Sequence, residues 1–180
     1  MKFQPTQLPG VYTIALHPLE DERGVFVKTY NEDVFKSQTG AALDWRESFY
    51  SVSKKNVIRG MHFQVPPFDN TKIVYVTAGK IRDVVLDIRQ SSPAFGRHIA
   101  VELSADRADA IYIPVGCAHG FLSLTDNATV IYLQTSVYSA QHDKGILWNS
   151  FGMDWGVTDP VLSPRDRTFP ALAAFETPFN

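Results

Sequence analysis

Apolar and polar residues alternate along most of this chain with a period of two, the spacing that sends side chains to opposite faces of a β-strand. Such runs cover Val11 to Leu16, Val25 to Tyr30, Phe49 to Val52, Lys72 to Thr77 and Ile81 to Ile88. They resume at His98 to Leu103, Ala110 to Ile113, Gly120 to Leu124 and Thr129 to Val137. Val, Ile, Tyr, Phe and Thr dominate these runs, and turn formers such as Asp21-Glu22-Arg23-Gly24 and Ala78-Gly79-Lys80 separate them. Many short strands at this spacing predict an all-β protein, an antiparallel sandwich or barrel. One or two helical turns are predicted over Glu32 to Lys36, with Asn31 as N-cap. From Asp154 onward the chain is Pro-rich and aperiodic, which predicts an irregular tail wrapped on the body. There is no repeat or linker, so residues 1–180 are expected to form one domain.

The run Val57-Ile58-Arg59-Gly60-Met61-His62-Phe63-Gln64 carries the most chemistry. In a regular strand His62 and Gln64 share one face, while Arg59, Met61 and Phe63 share the other. An imidazole on a rigid strand suits a proton-abstracting base, although a lone strand histidine is more often structural. A barrel with inward histidines suggests a metal-binding cupin, which needs several convergent His and carboxylate ligands. Gln64 stands where a second imidazole would be needed, and His119 and Asp83 do not complete a set, so no metal is predicted.

Partners for such a base lie downstream. A carboxylate such as Asp166 can hold one imidazole nitrogen and raise basicity at the other. Tyr132, Gln134, Ser136 and Tyr138 share a face if their strand is regular, and a phenol there is either a proton donor or a rim residue. Lys72 is either a solvated strand end or an ammonium beside a developing enolate oxygen. Arg59 either forks onto a diphosphate or pairs with a surface acid. Cys117 has no activating neighbour in sequence and reads as packing.

Charge narrows the partners. With 17 Lys and Arg against 19 Asp and Glu, the net charge of −2 gives no general attraction to nucleic acid or membrane. The single cysteine excludes an internal disulfide, no apolar window approaches a membrane span, and no secretory signal opens the chain. A cytoplasmic protein is expected.

Taken in order, several motifs resemble the dTDP-4-dehydrorhamnose 3,5-epimerase family of nucleotide-sugar epimerases. They are Asp21-Glu22-Arg23-Gly24, the stretch from Ser51 to Gln64, Asp87-Ile88-Arg89, Ser92-Pro93-Ala94-Phe95-Gly96, Ala118-His119-Gly120-Phe121 and Gly145-Ile146-Leu147-Trp148-Asn149. The resemblance implies a cupin-like jelly roll without metal or other cofactor, forming a homodimer that acts on a nucleotide-linked 4-keto-6-deoxyhexose. It implies His62 as base oriented by Asp166, Tyr132 as acid, and Lys72 at the enolate oxygen. It further implies His119 on the sugar with Asp83 as partner, Arg59 on the diphosphate, and Tyr138 in the sugar pocket. Arg23 and Phe26 would reach the nucleotide bound in the other subunit.

The chain also departs from the family pattern. Lys28 stands where the family usually has Glu, and Glu47-Ser48-Phe49 replaces Gln-Asp-Asn. Asp143 replaces a Glu, and Arg165 replaces the Lys before the dyad Asp; both are expected among the substrate-binding residues. A lysine suits an acceptor on cytosine, and Glu47 can accept from cytosine's amino group, so a CDP-linked sugar is predicted rather than a dTDP-linked one. Against this stands a simple pairing of Lys28 and Glu47 with each other or with solvent. Inversion at carbon 3, carbon 5 or both remains open, with Phe49 a candidate for restricting sugar rotation to one centre. The alternatives are a 3,4-ketoisomerase on the same scaffold and a cupin that binds nucleotide sugars without turning them over.

Overall fold

Period-two alternation is realised as thirteen strands in the computed structural model, which describes residues 1–180. In chain order they are β1 (Lys2–Pro5), β2 (Tyr12–Ala15), β3 (Pro18–Asp21), β4 (Gly24–Val27), β5 (Glu47–Ser53), β6 (Ile58–Gln64) and β7 (Lys72–Ala78). There follow β8 (Lys80–Asp87), β9 (His98–Ser104), β10 (Asp109–Ile113), β11 (Cys117–Ser123), β12 (Ala128–Gln134) and β13 (Asp143–Gly145). One sheet has six strands in the order β1-β2-β10-β7-β12-β5, the other five in the order β13-β6-β11-β8-β9. Every ladder in them is antiparallel. Both sheets end in edge strands, so the fold is a cupin-like jelly-roll sandwich and not a closed barrel. The β3–β4 hairpin stands apart as a two-stranded sheet.

Alternation within β7 and β8 explains the layers. Val74 and Val76 face Val85, Phe121 and Val130 between the sheets. Ile73 faces outward to a cluster with Ile14, Tyr112 and Phe35 of the helix α1 (Glu32–Thr39). On the other sheet Val84 and Leu86 face outward, where Met61, Trp155 and Phe179 join them, so the tail covers that surface. Phe35 is fully buried against Phe3 and Tyr30, and burying such a ring contributes about 1.5–3 kcal/mol.

Several expected boundaries move. The helix runs one turn past Lys36, because Gly40 takes φ of 71° and returns its N–H to the Lys36 carbonyl. Asn31 caps its start by accepting from the Val34 N–H at 3.1 Å. β12 stops at Gln134 rather than Val137, since Thr135 turns its N–H to the Thr71 carbonyl. The short β1, β3 and β13 carry too little alternation to be read from sequence.

β6 holds the main correction. His119 of β11 pairs with His62, yet Phe121 pairs with Arg59, so β6 carries one extra residue across this interval. That bulge breaks the alternation, and Arg59 joins His62 and Gln64 on the cavity side instead of following Met61 into the outer cluster. Gly60 has φ of 132°, and a Cβ there would lie 2.5 Å from the Gly120 Cα. Only glycine permits this approach.

Candidate active site between the sheets

A cavity of about 380 Å³ opens at one end of the sandwich. β5, β7 and β12 of the six-stranded sheet supply Glu47, Phe49, Lys72, Tyr132 and Gln134 to it. β6 and β11 of the five-stranded sheet supply Arg59, His62, Gln64 and His119, and Tyr138 and Asp143 complete the rim.

His62 is oriented from behind. Its Nε2 lies 2.8 Å from Asp166 Oδ1, and a carboxylate can only accept, so Nε2 carries a hydrogen and, in the neutral ring, Nδ1 keeps the lone pair. Asp166 is buried in a 3₁₀ turn of the tail (Asp166–Thr168). Burial alone would raise its carboxyl, but hydrogen bonds from His62, the Gly60 N–H and Ser163 hold it below the usual carboxylate range. The Phe169 ring packs edge-on against the imidazole at 5.7 Å.

Across the sandwich, burial pushes the Tyr132 hydroxyl above the ordinary phenol value, so it is an O–H donor at neutral pH. Phe49 stacks on this ring at 4.6 Å and 17°. The two residues are direct cross-strand partners. Lys72 is likewise buried, and the loss of hydration brings its ammonium down to about 8, against partial recovery from the charges of Asp143 and Asp83. Its Nζ donates to the His62 carbonyl at 3.4 Å.

His119 and Asp83 form a second buried pair at 2.7 Å, with Asp83 fully buried behind the cavity wall. Gln64 donates to the Phe68 and Val137 carbonyls and accepts from the Ser139 N–H, tying down the loop that carries Tyr138. Tyr138 therefore reaches the cavity from a loop, not from the continued strand face expected for it. Asn70, bonded to Gln134 at 2.6 Å, also lines the cavity and was not anticipated, because nothing in its loop sequence marks it. Burial pushes the Cys117 thiol up to about 12, in keeping with a packing role.

Arg59 bonds Ser53 Oγ at 3.0 Å, and no acid takes its guanidinium. Arg165 lies outside the cavity and pairs with Asp143 at 2.6 Å. Arg23, Phe26 and Lys28 sit on or just after the β3–β4 hairpin, exposed and away from this cavity. Glu47 Oε2 is buried without a hydrogen-bond partner, so the Lys28–Glu47 pairing is not formed within the chain. No group of three or more His, Cys, Asp or Glu side chains is arranged to hold a metal ion. No helix is long and apolar enough to cross a membrane.

Known proteins share both the sequence and the architecture. A family model described as dTDP-4-dehydrorhamnose 3,5-epimerase matches residues 5–174. The Shigella flexneri protein of that name is 38% identical over 163 residues, covering 89% of this chain and 90% of its own. A structure from Legionella pneumophila Philadelphia 1, an epimerase in complex with dTDP-4-keto-L-rhamnose, superposes with a TM-score of 0.92 at 31% identity, covering 97% of this chain and 94% of that one. A 3'-monoepimerase from Streptomyces bikiniensis in complex with dTDP-quinovose gives 0.89 at 31% identity, covering 94% and 87%. With the match spanning almost the whole chain, this protein belongs to the dTDP-4-dehydrorhamnose 3,5-epimerase family of isomerases.

Proposed function

We propose that this protein inverts carbon 3, carbon 5 or both in a nucleotide-linked 4-keto-6-deoxyhexose, using His62 and Tyr132 as its proton-transfer pair. The observation that carries this reading is their placement: an oriented imidazole from one sheet and a buried phenol from the other line a single cavity. The ketone acidifies the adjacent C–H. His62 Nδ1 takes that proton, the C–H electrons form the C=C bond of an enolate, and the carbonyl π electrons move to oxygen. The Lys72 ammonium steadies that oxygen. Tyr132 then gives its proton to the opposite face of the carbon as the C=O re-forms, and solvent resets the imidazolium and the phenolate. A 3,4-ketoisomerase would return the proton to oxygen instead; the donor placed at Tyr132 supports inversion at carbon.

Arg59 takes the diphosphate in this reading, His119 with Asp83 and Tyr138 hold the sugar, and Arg23 and Phe26 serve the cavity of a second subunit. The exposed apolar side chains Leu19, Val25 and Phe26 on the hairpin support that last role. The names of the relatives favour a thymidine nucleotide, whereas an exposed lysine at position 28 and the unpartnered Glu47 carboxylate favour cytidine. Turnover of CDP- and dTDP-4-keto-6-deoxyhexoses in deuterium oxide, read by NMR at carbons 3 and 5, tests all of this at once. Deuterium at either carbon with an inverted product is expected; a substrate returned with its hydrogens intact overturns the reading.

A further inference from the structure

Asp166 holds the catalytic imidazole, yet the turn that bears it belongs to no sheet. The hydrogen bonds made by the turn backbone are local: Asp166 N–H to Ser163 Oγ, Arg167 N–H to the Ser163 carbonyl, and Thr168 N–H to the Arg165 carbonyl. Asp166 aside, one side-chain ion pair, from Arg165 to Asp143 Oδ2, ties residues 163–168 to the sandwich; outside them Val161 bonds Asn56 and Ile58, and the Pro170 carbonyl accepts from the Leu147 N–H. Asp143 opens β13, directly opposite Gln64 of β6, while Gly145 two residues on lies opposite His62.

The same arginine reaches the imidazole by a second route. Its guanidinium carbon sits 5.1 Å from the centre of the Phe169 ring. That ring meets His62 edge-on, and it presses so closely on β13 that a Cβ at Gly145 would lie 2.3 Å from it. Asp143, Arg165, Phe169 and His62 thus form a continuous chain of contacts, which closes on itself through Asp166. Asp143 is largely buried and its carboxylate is occupied by Arg165, which leaves it poorly placed to bind an anionic substrate.

We propose that Asp143 and Arg165 are positioning residues: their ion pair clamps the Asp166 turn and the Phe169 ring against β13 and so sets the angle of the His62 ring. This rests on His62 being the base. With Arg165 half exposed and Asp143 largely buried, the ion pair contributes only modestly to global stability, whereas a base displaced by about 1 Å can lose about 10²-fold in rate. A clamp therefore acts on kcat, and a substrate contact acts on KM. Arg165 also stacks as a flat cation, which lysine cannot imitate although it can keep the charge pair.

The test compares wild type with Arg165→Met, Asp143→Asn and Arg165→Lys, using the 4-keto sugar nucleotide that the wild type turns over. Expected for the first two is a fall in kcat of about tenfold with KM within about twofold, an equal fall in solvent-deuterium uptake, unchanged affinity for the free nucleoside diphosphate, and a melting temperature lowered by no more than about 4 °C. Arg165→Lys should recover part of kcat. Wild-type kcat in both Arg165→Met and Asp143→Asn, or a loss confined to KM and nucleotide affinity, overturns the clamp. His62→Asn is measured alongside: if it still exchanges substrate hydrogen at full rate, the base assignment has failed and the clamp falls with it. Low kcat in Arg165→Met with normal activity in Asp143→Asn would also overturn the pair as the cause.

Discussion

His62 and Tyr132 serve one cavity but live in different surroundings. The imidazole side chain keeps 32% of its surface exposed and takes its orientation from the tail, through Asp166 and Phe169. Tyr132 and Lys72 are buried in the six-stranded sheet, and burial displaces the titration of both. The contrast suits the tasks proposed for these groups. A base must reach a carbon acid and trade protons with solvent, so it needs access and an external brace. A donor and an enolate-stabilising cation act more strongly where water is excluded, since each charge is screened less there.

Replacing the exposed member should break the comparison most. His62→Asn is expected to lower turnover by about 10³-fold and to abolish deuterium uptake, measured by NMR in deuterium oxide. Tyr132→Phe should lower formation of inverted product by about 10²- to 10³-fold while deuterium still enters with retained configuration, because the His62 side can return a proton to the same face. Equal loss of uptake and inversion in that variant would mean the two groups do not divide the work.

Lys72 sharpens the comparison through pH. With its ammonium at about 8, the charged form is lost as pH rises through that value, so kcat should fall on the alkaline side of about 8. Lys72→Met should lower kcat by about 10²-fold and erase that limb of the profile. The stability sign is opposite. The unfolded chain holds this proton more tightly, at 10.5, so the native state is penalised below about 8 and regains stability between about 8 and 10.5. Denaturant unfolding across that range checks it in wild type against Lys72→Met. The smallest effect belongs to Phe49→Ala. Removing the stack on Tyr132 is worth about 0.5–1.5 kcal/mol, a rate change of about tenfold or less. Appearance of a second exchanging carbon in this variant would identify Phe49 as the group that limits sugar rotation.

Particular residues show what could be read in advance. Tyr132 and Gln134 lie on a regular strand, where alternation correctly placed them on a shared face. Arg59 was assigned to the wrong side, because a bulge adds a residue to the count and leaves no periodic trace except a glycine. Asp166 was a candidate partner for His62 by residue chemistry and the family resemblance, not by any pattern, being 104 residues away in an aperiodic turn. Its neighbour Phe169, which touches the imidazole, was not anticipated at all; one aromatic in an irregular tail carries no directional signal.

By itself the chain determined its longer strands, the helix cap at Asn31 and the inventory of proton-handling side chains, because these follow from local sterics and a period of two residues. Tertiary structure alone decided which groups meet: the bulge that turns Arg59 inward, the loop that delivers Tyr138, and the Asp166 turn behind His62. Those depend on contacts between segments distant in sequence, and no local pattern encodes the distance between them.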